Sequence, residues 1–469
     1  MQNSGTSIKP TSRLILSLCL IHFLLGLDIN IVSVTLPSIA ANFQVSPGIV
    51  TRVVWVYFLI LTCLLFAFGR IGDINGFRKI YSAGIAVFIT GSLMSAVSFS
   101  FDFLILSRGI QAIGAAVLFS LTPAIIAFHF PGGSRGKIFG LNYSFTALGG
   151  IIGRAASGFL IANLGWNSIF YLNIPFGITA LYFVYKYLPD NISTGKTGKF
   201  DIPGTVLIFG GLFLLMMVLN TGGEYGWYSS QIIITGIAGL LLTGLFFYRQ
   251  IKIEFPLFDL KVLKEKNISL STGAFVFIYM ITNGMIYLMP FYLLWIKLLT
   301  KQETGLMMAV PSVMQLLTGY ASGKLSDKIS IKKICSAGII IIIISLILHL
   351  FLSGGSPSAY IFLAMALYGG AIGFFIPANT NNIMSYAPAE SKGSVSSFMT
   401  TSIRLGSALG VVIFGMVLTA FVPSKDTLPA GIPTDIIMAG FRGAFITAIV
   451  LAVAALAVIS FTENKKKGG

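Results

Sequence analysis

Long apolar runs, broken at intervals by short clusters of charge, Gly and Pro, dominate the chain. They fall at about 14–40, 49–69, 80–99, 103–128, 138–163, 168–188, 203–220, 231–249, 268–296, 303–323, 334–353, 358–385, 395–421 and 438–461. A helix needs roughly 20 such residues to cross a bilayer, so the pattern predicts an all-α polytopic membrane protein with about fourteen transmembrane helices. Runs near 27 residues exceed one bilayer thickness and predict tilt, kinking or protrusion. The first run is too long for a signal-peptide core and is followed by further charge-poor runs, so it is read as a span.

Two stretches repeat. Residues 69–79, GRIGDINGFRK, follow the second run, and residues 323–333, GKLSDKISIKK, follow the tenth. Their Gly, Asp and terminal basic pair are in register 254 residues apart. Pro131, Arg135 and Gly136 precede the fifth run as Pro388, Lys392 and Gly393 precede the thirteenth, at an offset of 257. Such agreement argues for duplication. Each match spans eight helices, so two six-helix bundles must flank two inserted helices. The predicted units are residues 1–190, 191–255 and 256–469. Parallel repeats of this kind belong to transporters that rock two halves about a midplane site.

Composition sharpens the class. The 469 residues are 55% hydrophobic and 10% charged, with a net charge of +16 and a mean hydropathy of +0.89. Too few charges remain to cover a soluble fold. Most of the basic residues lie in alternate loops, among them Arg70, Arg78, Lys79, Arg135, Lys137, Arg249, Lys324 and Lys392. By the positive-inside rule both termini are cytoplasmic, as expected in a plasma (inner) membrane. The basic excess is a topology signal with contact to lipid headgroups; no loop combines basic and aromatic residues as a nucleic-acid face would. The three cysteines have neither disulfide nor metal spacing, and the three histidines form no ligand set.

The 69–79 stretch has a mechanical reading. Gly69 and Gly72 let a helix end press on a neighbour. Asp73, beside Arg70, can sit at a helix N-terminus or pair with a basic residue, holding one side shut. Arg78 and Lys79 restart the next helix at headgroup level, and Asp327 is the repeat counterpart of Asp73. The segment resembles motif A of the major facilitator superfamily, with Phe77 inserted before the basic pair. Residues 27–39, LDINIVSVTLPSI, resemble the first-helix motif of its fourteen-helix drug:proton antiporter branch. Residues 106–116, LSRGIQAIGAA, resemble motif B. Residues 165–170, GWNSIF, with Asn173 and Pro175, residues 256–260, PLFDL, and residues 404–410, RLGSALG, are similar to the same branch. The resemblance touches both halves of nearly the whole chain and implies a major facilitator fold. In the fifth run Gly149, Gly153 and Gly158 keep the glycines of motif C, but Arg154 stands where that motif has Pro. Proline would kink the helix.

Few charges lie inside spans. Asp28 is the only carboxylate well inside one, beside Arg108, Arg154 and Arg404; ionisable groups at such depth are costly and usually functional. Structural ion pairing or carbonyl capping is the alternative. Arg154 and Asp28 fall at similar depth, which predicts that Arg154 points towards Asp28. On the ninth run Tyr279, Asn283 and Tyr287 recur every four residues and share a face. With Trp55, Tyr57, Asn142, Tyr143, Gln315, Asn379 and Arg404 they form a candidate substrate cavity for a flat or amphipathic molecule.

Together these features predict a non-enzymatic secondary transporter, working as a monomer, that exports small organic molecules against inward proton movement. Asp28 and Arg108 are the expected proton-coupling residues. No cofactor or metal is expected, and without a nucleotide-binding loop the proton gradient is the expected energy source. The alternatives are an organic-anion carrier or uniporter without proton coupling, favoured by three intramembrane arginines against one carboxylate, and a non-transporting receptor or scaffold.

Overall fold

The computed structural model describes residues 12–45, 47–130, 132–189, 200–326, 328–421 and 433–463. Among them no strand occurs. The first half comprises α1 (Ser12–Phe43), the single turn α2 (Pro47–Val50), α3 (Arg52–Asn75), α4 (Phe77–Ala96), α5 (Phe101–His129), α6 (Gly132–Leu164), α7 (Ser168–Tyr171) and α8 (Asn173–Tyr187). Then come α9 (Ile202–Tyr225) and α10 (Ser230–Lys252). The second half comprises α11 (Lys266–Phe291), α12 (Lys301–Ser326), α13 (Ile331–Leu350), α14 (Ser358–Tyr386), α15 (Lys392–Phe421) and α16 (Thr434–Ser460).

Thirteen of the described helices, with α7 and α8 acting as one span, are long and apolar enough to cross a membrane. The 26-residue α12 is the fourteenth long helix. It is less apolar because it is packed between α6 and α14, where Gly319 and Gly323 meet Gly140. Outward-facing apolar side chains such as Leu240 and Leu241, 64% and 61% exposed, need lipid around them.

Glycines set the helix spacing. A methyl group on Gly26 would overlap the carbonyl of Thr146, and one on Gly149 that of Phe23, so α1 and α6 touch backbone to backbone. Gly406 and Gly410 of α15 lie equally close to the backbone of α11 at Val276 and Met280. The close packing expected from Gly149 and Gly153 is thus present on α6, and the second half repeats it on α15. Small residues at such contacts let dispersion and weak hydrogen bonds hold helices together in lipid.

The inserted pair α9 and α10 pack on each other and rest on α3 and α15. Asp201 ties their ends. It caps α9 by accepting from the Gly204 N–H at 3.0 Å, and accepts from Arg249 Nη2 at 2.9 Å and Gln250 Nε2 at 3.1 Å. Gln250 Oε1 in turn accepts from the backbone N–H of Phe258, whose ring stacks on Phe398 of α15 at 4.8 Å. Burial pushes the Asp201 carboxyl up, but Arg249 and the two N–H donors outweigh it and hold it below the usual carboxylate range. The tie therefore stands at neutral pH and is lost as pH falls through that lowered value.

Candidate functional site

Asp28 lies 16 residues into α1, roughly 24 Å along the helix by its rise. It is 0% exposed and Arg108 on α5 is 1% exposed. Arg108 Nη1 reaches Asp28 Oδ2 at 3.2 Å and Oδ1 at 3.3 Å. Gln111 Nε2 and Asn173 Nδ2 each donate to Oδ1 at 2.9 Å. Arg108 also donates to Gln111 Oε1 and, through Nε, to the Val53 carbonyl at 3.4 Å. Ser92 Oγ accepts from Gln111 at 2.7 Å. Above the guanidinium lies the Tyr57 ring, 4.2 Å from its centroid. Four helices of the first half and the start of α8 thus converge on one carboxylate. Every bond to it comes from a donor, which suits its ionised form.

At the end of the bundle that carries the basic loops, the repeated stretch is helical rather than a loop. Gly69 to Asn75 are the last turns of α3, and Gly76, at φ 83°, alone joins α3 to α4. Only a residue without a Cβ takes that conformation at little cost. Asp73, 1% exposed, accepts from the N–H of Gly393 at 2.8 Å and from the N–H and Oγ of Ser394, both at 2.9 Å. It therefore caps α15 of the opposite half, where the exposed N–H groups and helix dipole favour a carboxylate. Gly69 packs against Gly393 and Ser397, and Gly136 and Gly140 pack against Gly323 in the matching seam between α6 and α12. Arg70 is buried within electrostatic reach of Asp73 and Asp259. Arg78 lies over the Tyr185 ring at 4.7 Å, and Lys79 is exposed. The two halves are closed on each other at this end. Asp327 lies outside the described residues.

The expected cavity residues divide. Tyr143 on α6 and Tyr279 on α11 lie beside Arg404 of α15, whose guanidinium stands 4.5 Å from the Phe119 ring centroid and 5.6 Å from that of Phe58. Both phenylalanines belong to the first half, so Arg404 reaches across the seam. Asn283 is half-buried but bonded to Ser407 Oγ at 2.9 Å, joining α11 to α15. Tyr287 packs near Gly415 of α15 and against Phe291.

Others do not join that set. Tyr57 is fully buried and belongs to the Asp28 cluster. Trp55 packs against the apolar core. Asn142 is buried and donates to Ile138 O at 2.8 Å within its own helix. Asn379 is buried and donates to Ser271 O at 2.9 Å, tying α14 to α11. Burial inside one bundle removes both asparagines from a cavity between bundles. Gln315 lines an apolar cavity inside the second half, with Met285, Met289, Met308 and Met365. The Arg154 side chain and Gly158 lie outside what the structure describes, and with them the expected Arg154–Asp28 pairing; the described partners of Asp28 are Arg108, Gln111 and Asn173.

Sequence reasoning missed Gln111 and Asn173 as partners of Asp28, and Ser92 behind them. The signal was there for two of them: each is a polar residue in an otherwise apolar motif. It also missed Phe58 and Phe119, which nothing sets apart among 39 phenylalanines.

Comparison with known proteins agrees with this architecture. A family model described as Major Facilitator Superfamily matches residues 18–411 and 299–469. The riboflavin transporter RibZ of Clostridioides difficile is 30% identical over 407 residues, covering 87% of this chain and 88% of that protein. The lincomycin resistance protein LmrB of Listeria monocytogenes is 26% identical over 466 residues, covering 98% of each. A crystal structure of a double-tryptophan mutant of XylE superposes with a TM-score of 0.69 at 14% identity, over 97% of this chain and 96% of that one. At that identity the likeness is one of fold.

Proposed function

The chain belongs to the major facilitator superfamily and is a multi-pass membrane transporter, not an enzyme; from that premise we propose that it exports small organic molecules in exchange for protons. The observation that carries this reading is the Asp28–Arg108 cluster. A proton on Asp28 competes with Arg108 for the same carboxylate oxygens. Once Asp28 is neutral, Arg108 keeps Gln111 Oε1 and the Val53 carbonyl as acceptors. Protonation therefore weakens the tie of α1 to α5 and leaves Arg108 on neutral acceptors alone, and charge is converted into helix movement.

The Asp73 cap on α15 is the latch of the other state. With the basic loops facing the cytoplasm, the closed end is the cytoplasmic one, both termini are cytoplasmic, and the host is the plasma (inner) membrane. Opening requires α15 to give up three hydrogen bonds to Asp73. Substrate occupies the space between the halves around Tyr143, Tyr279 and Arg404, and the protein acts as a monomer driven by the proton gradient alone. The direction follows the relatives named for drug resistance.

The test is transport into proteoliposomes under an imposed pH gradient, with radiolabelled riboflavin as probe. Gradient-driven accumulation, lost in Asp28→Asn, is expected. Accumulation that ignores the gradient would overturn the coupling. A second reading, an organic-anion carrier without proton coupling, is favoured by the bare cation of Arg404 and predicts transport independent of the pH gradient.

A further inference from the structure

Among the described residues two groups of charge sit in the middle of the bundle, and one of them is neutralised. Asp28 and Arg108 balance each other. Arg404, 12 residues into α15 and roughly 18 Å from its start by helical rise, forms no hydrogen bond or ion pair among the described residues. Its Nε is buried without a partner. An unpaired cation at this depth is costly. The Phe119 and Phe58 rings offset part of that cost through their faces. Ring faces leave the in-plane N–H donors of the guanidinium unused.

Side chains from five helices meet around the guanidinium. Phe58, Phe119, Tyr143, Tyr279 and Arg404 come from α3, α5, α6, α11 and α15, and each is partly exposed rather than fully buried.

We infer that Arg404 is the specificity-determining residue of the substrate site and that the site takes amphipathic monoanions: a planar aromatic ring carrying a carboxylate or sulfonate. The anionic group supplies the counter-ion that Arg404 lacks. The flat fork of the guanidinium matches two oxygens of such a group, which an ammonium does not do. The substrate's ring lies among Tyr143, Tyr279 and the two phenylalanines, where offset and edge contacts are favourable. A cationic compound would place two like charges in a poorly screened interior and is disfavoured. This inference rests on the reading of the inter-half space as the substrate site, and it does not depend on proton coupling.

The experiment is equilibrium binding to the purified full-length chain, without any gradient. The probes are tritiated 2-naphthoate, its neutral isostere 2-naphthamide and the cation 2-naphthylmethylammonium. The wild type is expected to bind naphthoate about tenfold tighter than the amide, the size of one charge-assisted hydrogen bond. Arg404→Gln abolishes that preference, and Arg404→Lys keeps only part of it because a point charge replaces the fork. Equal affinity of the wild type for anion and amide, tighter binding of the ammonium, or a preference that survives Arg404→Gln overturns the inference. Should Arg404→Gln fail to fold, the wild-type ranking and Arg404→Lys still decide it. Loss of gradient-driven transport with the anion preference intact would instead count against proton coupling alone.

Discussion

Asp28 and Arg404 are both ionisable groups in the middle of a helix bundle, yet their surroundings are opposites. The Asp28 carboxylate accepts from three side chains on two other helices, and its counter-ion lies on a ring face. Among the described residues Arg404 has ring faces but no hydrogen bond or ion pair. The difference follows the architecture. All the partners of Asp28 belong to the first half, so the cluster survives a rigid-body rocking of the halves. Arg404 reaches from the second half into aromatic residues of the first, so its surroundings change whenever the halves move. A paired carboxylate inside one half suits a group whose partners change only when its own charge changes. A cation left bare between two bodies suits a group whose partner arrives and leaves.

The largest expected effect tests that contrast directly. Asp28→Asn leaves Arg108 buried without a counter-ion, and breaking a buried pair on one side costs about 3–5 kcal/mol. Arg404→Gln removes a charge that has no partner, so stability is expected to hold or rise. Thermal unfolding of the two purified variants beside the wild type checks both. In proteoliposomes Asp28→Asn is expected to transport at the gradient-independent background. Equal destabilisation by the two substitutions would erase the distinction between the sites.

The seam between the halves comes next. Were Asp73 in contact with water, a change in its charge would alter stability little. It is instead buried, with three bonds across the seam. Asp73→Asn turns a charge-assisted cap into a neutral one and is expected to cost about 2 kcal/mol. Because those bonds exist only while this end is closed, the loss shifts the closed–open balance by more than tenfold. A cysteine placed on the α15 side of the seam, at Ser397, would then react faster with a water-soluble maleimide in the Asp73→Asn background. Unchanged labelling would show that the cap does not hold the end shut.

The helix count was legible because it rests on long apolar runs, and the 69–79 stretch stood out by residue types with few uses, such as Gly next to Asp and a basic pair. Asp28 and Arg108 stood out because charge is rare in spans. Asn142 and Asn379 were misread for the same reason in reverse: an Asn in an apolar run is as well suited to tying two helices as to lining a cavity, and only the fold says which neighbour it meets. The length of α3 was misread because Gly69 and Gly72 look like loop residues, whereas here they permit contact with Leu121 and Ser397 within a continuous helix. The aromatic walls around Arg404 carried no signal, since they come from helices far apart in sequence.

A smaller effect is expected inside the Asp28 cluster. Asn173→Ala removes one donor from Asp28 Oδ1 and a long contact to Ser92 at 3.4 Å. Arg108 and Gln111 continue to hold the carboxylate, so the cost is expected near 1 kcal/mol, the net value of one hydrogen bond. A loss as large as that of Asp28→Asn would mean that the cluster acts as a single unit in which no donor is redundant.

The smallest effect on stability belongs to Tyr57→Phe, and it separates the two sites most finely. The Tyr57 ring lies over Arg108 and its hydroxyl, buried and without a partner, is within electrostatic reach of Arg404. Phenylalanine keeps the ring and hence most of the attraction to Arg108. It also removes a polar group that gains nothing from the protein, so the unfolding midpoint is expected to stay level or rise slightly. Proton-driven transport should keep its dependence on pH, because no donor to Asp28 is lost. Affinity for 2-naphthoate should stay level, because the hydroxyl is fully buried and outside the set around Arg404. If Tyr57→Phe instead lowered naphthoate affinity, the hydroxyl would belong with Arg404, and the line drawn here between the paired carboxylate and the bare cation would run on the wrong side of α3.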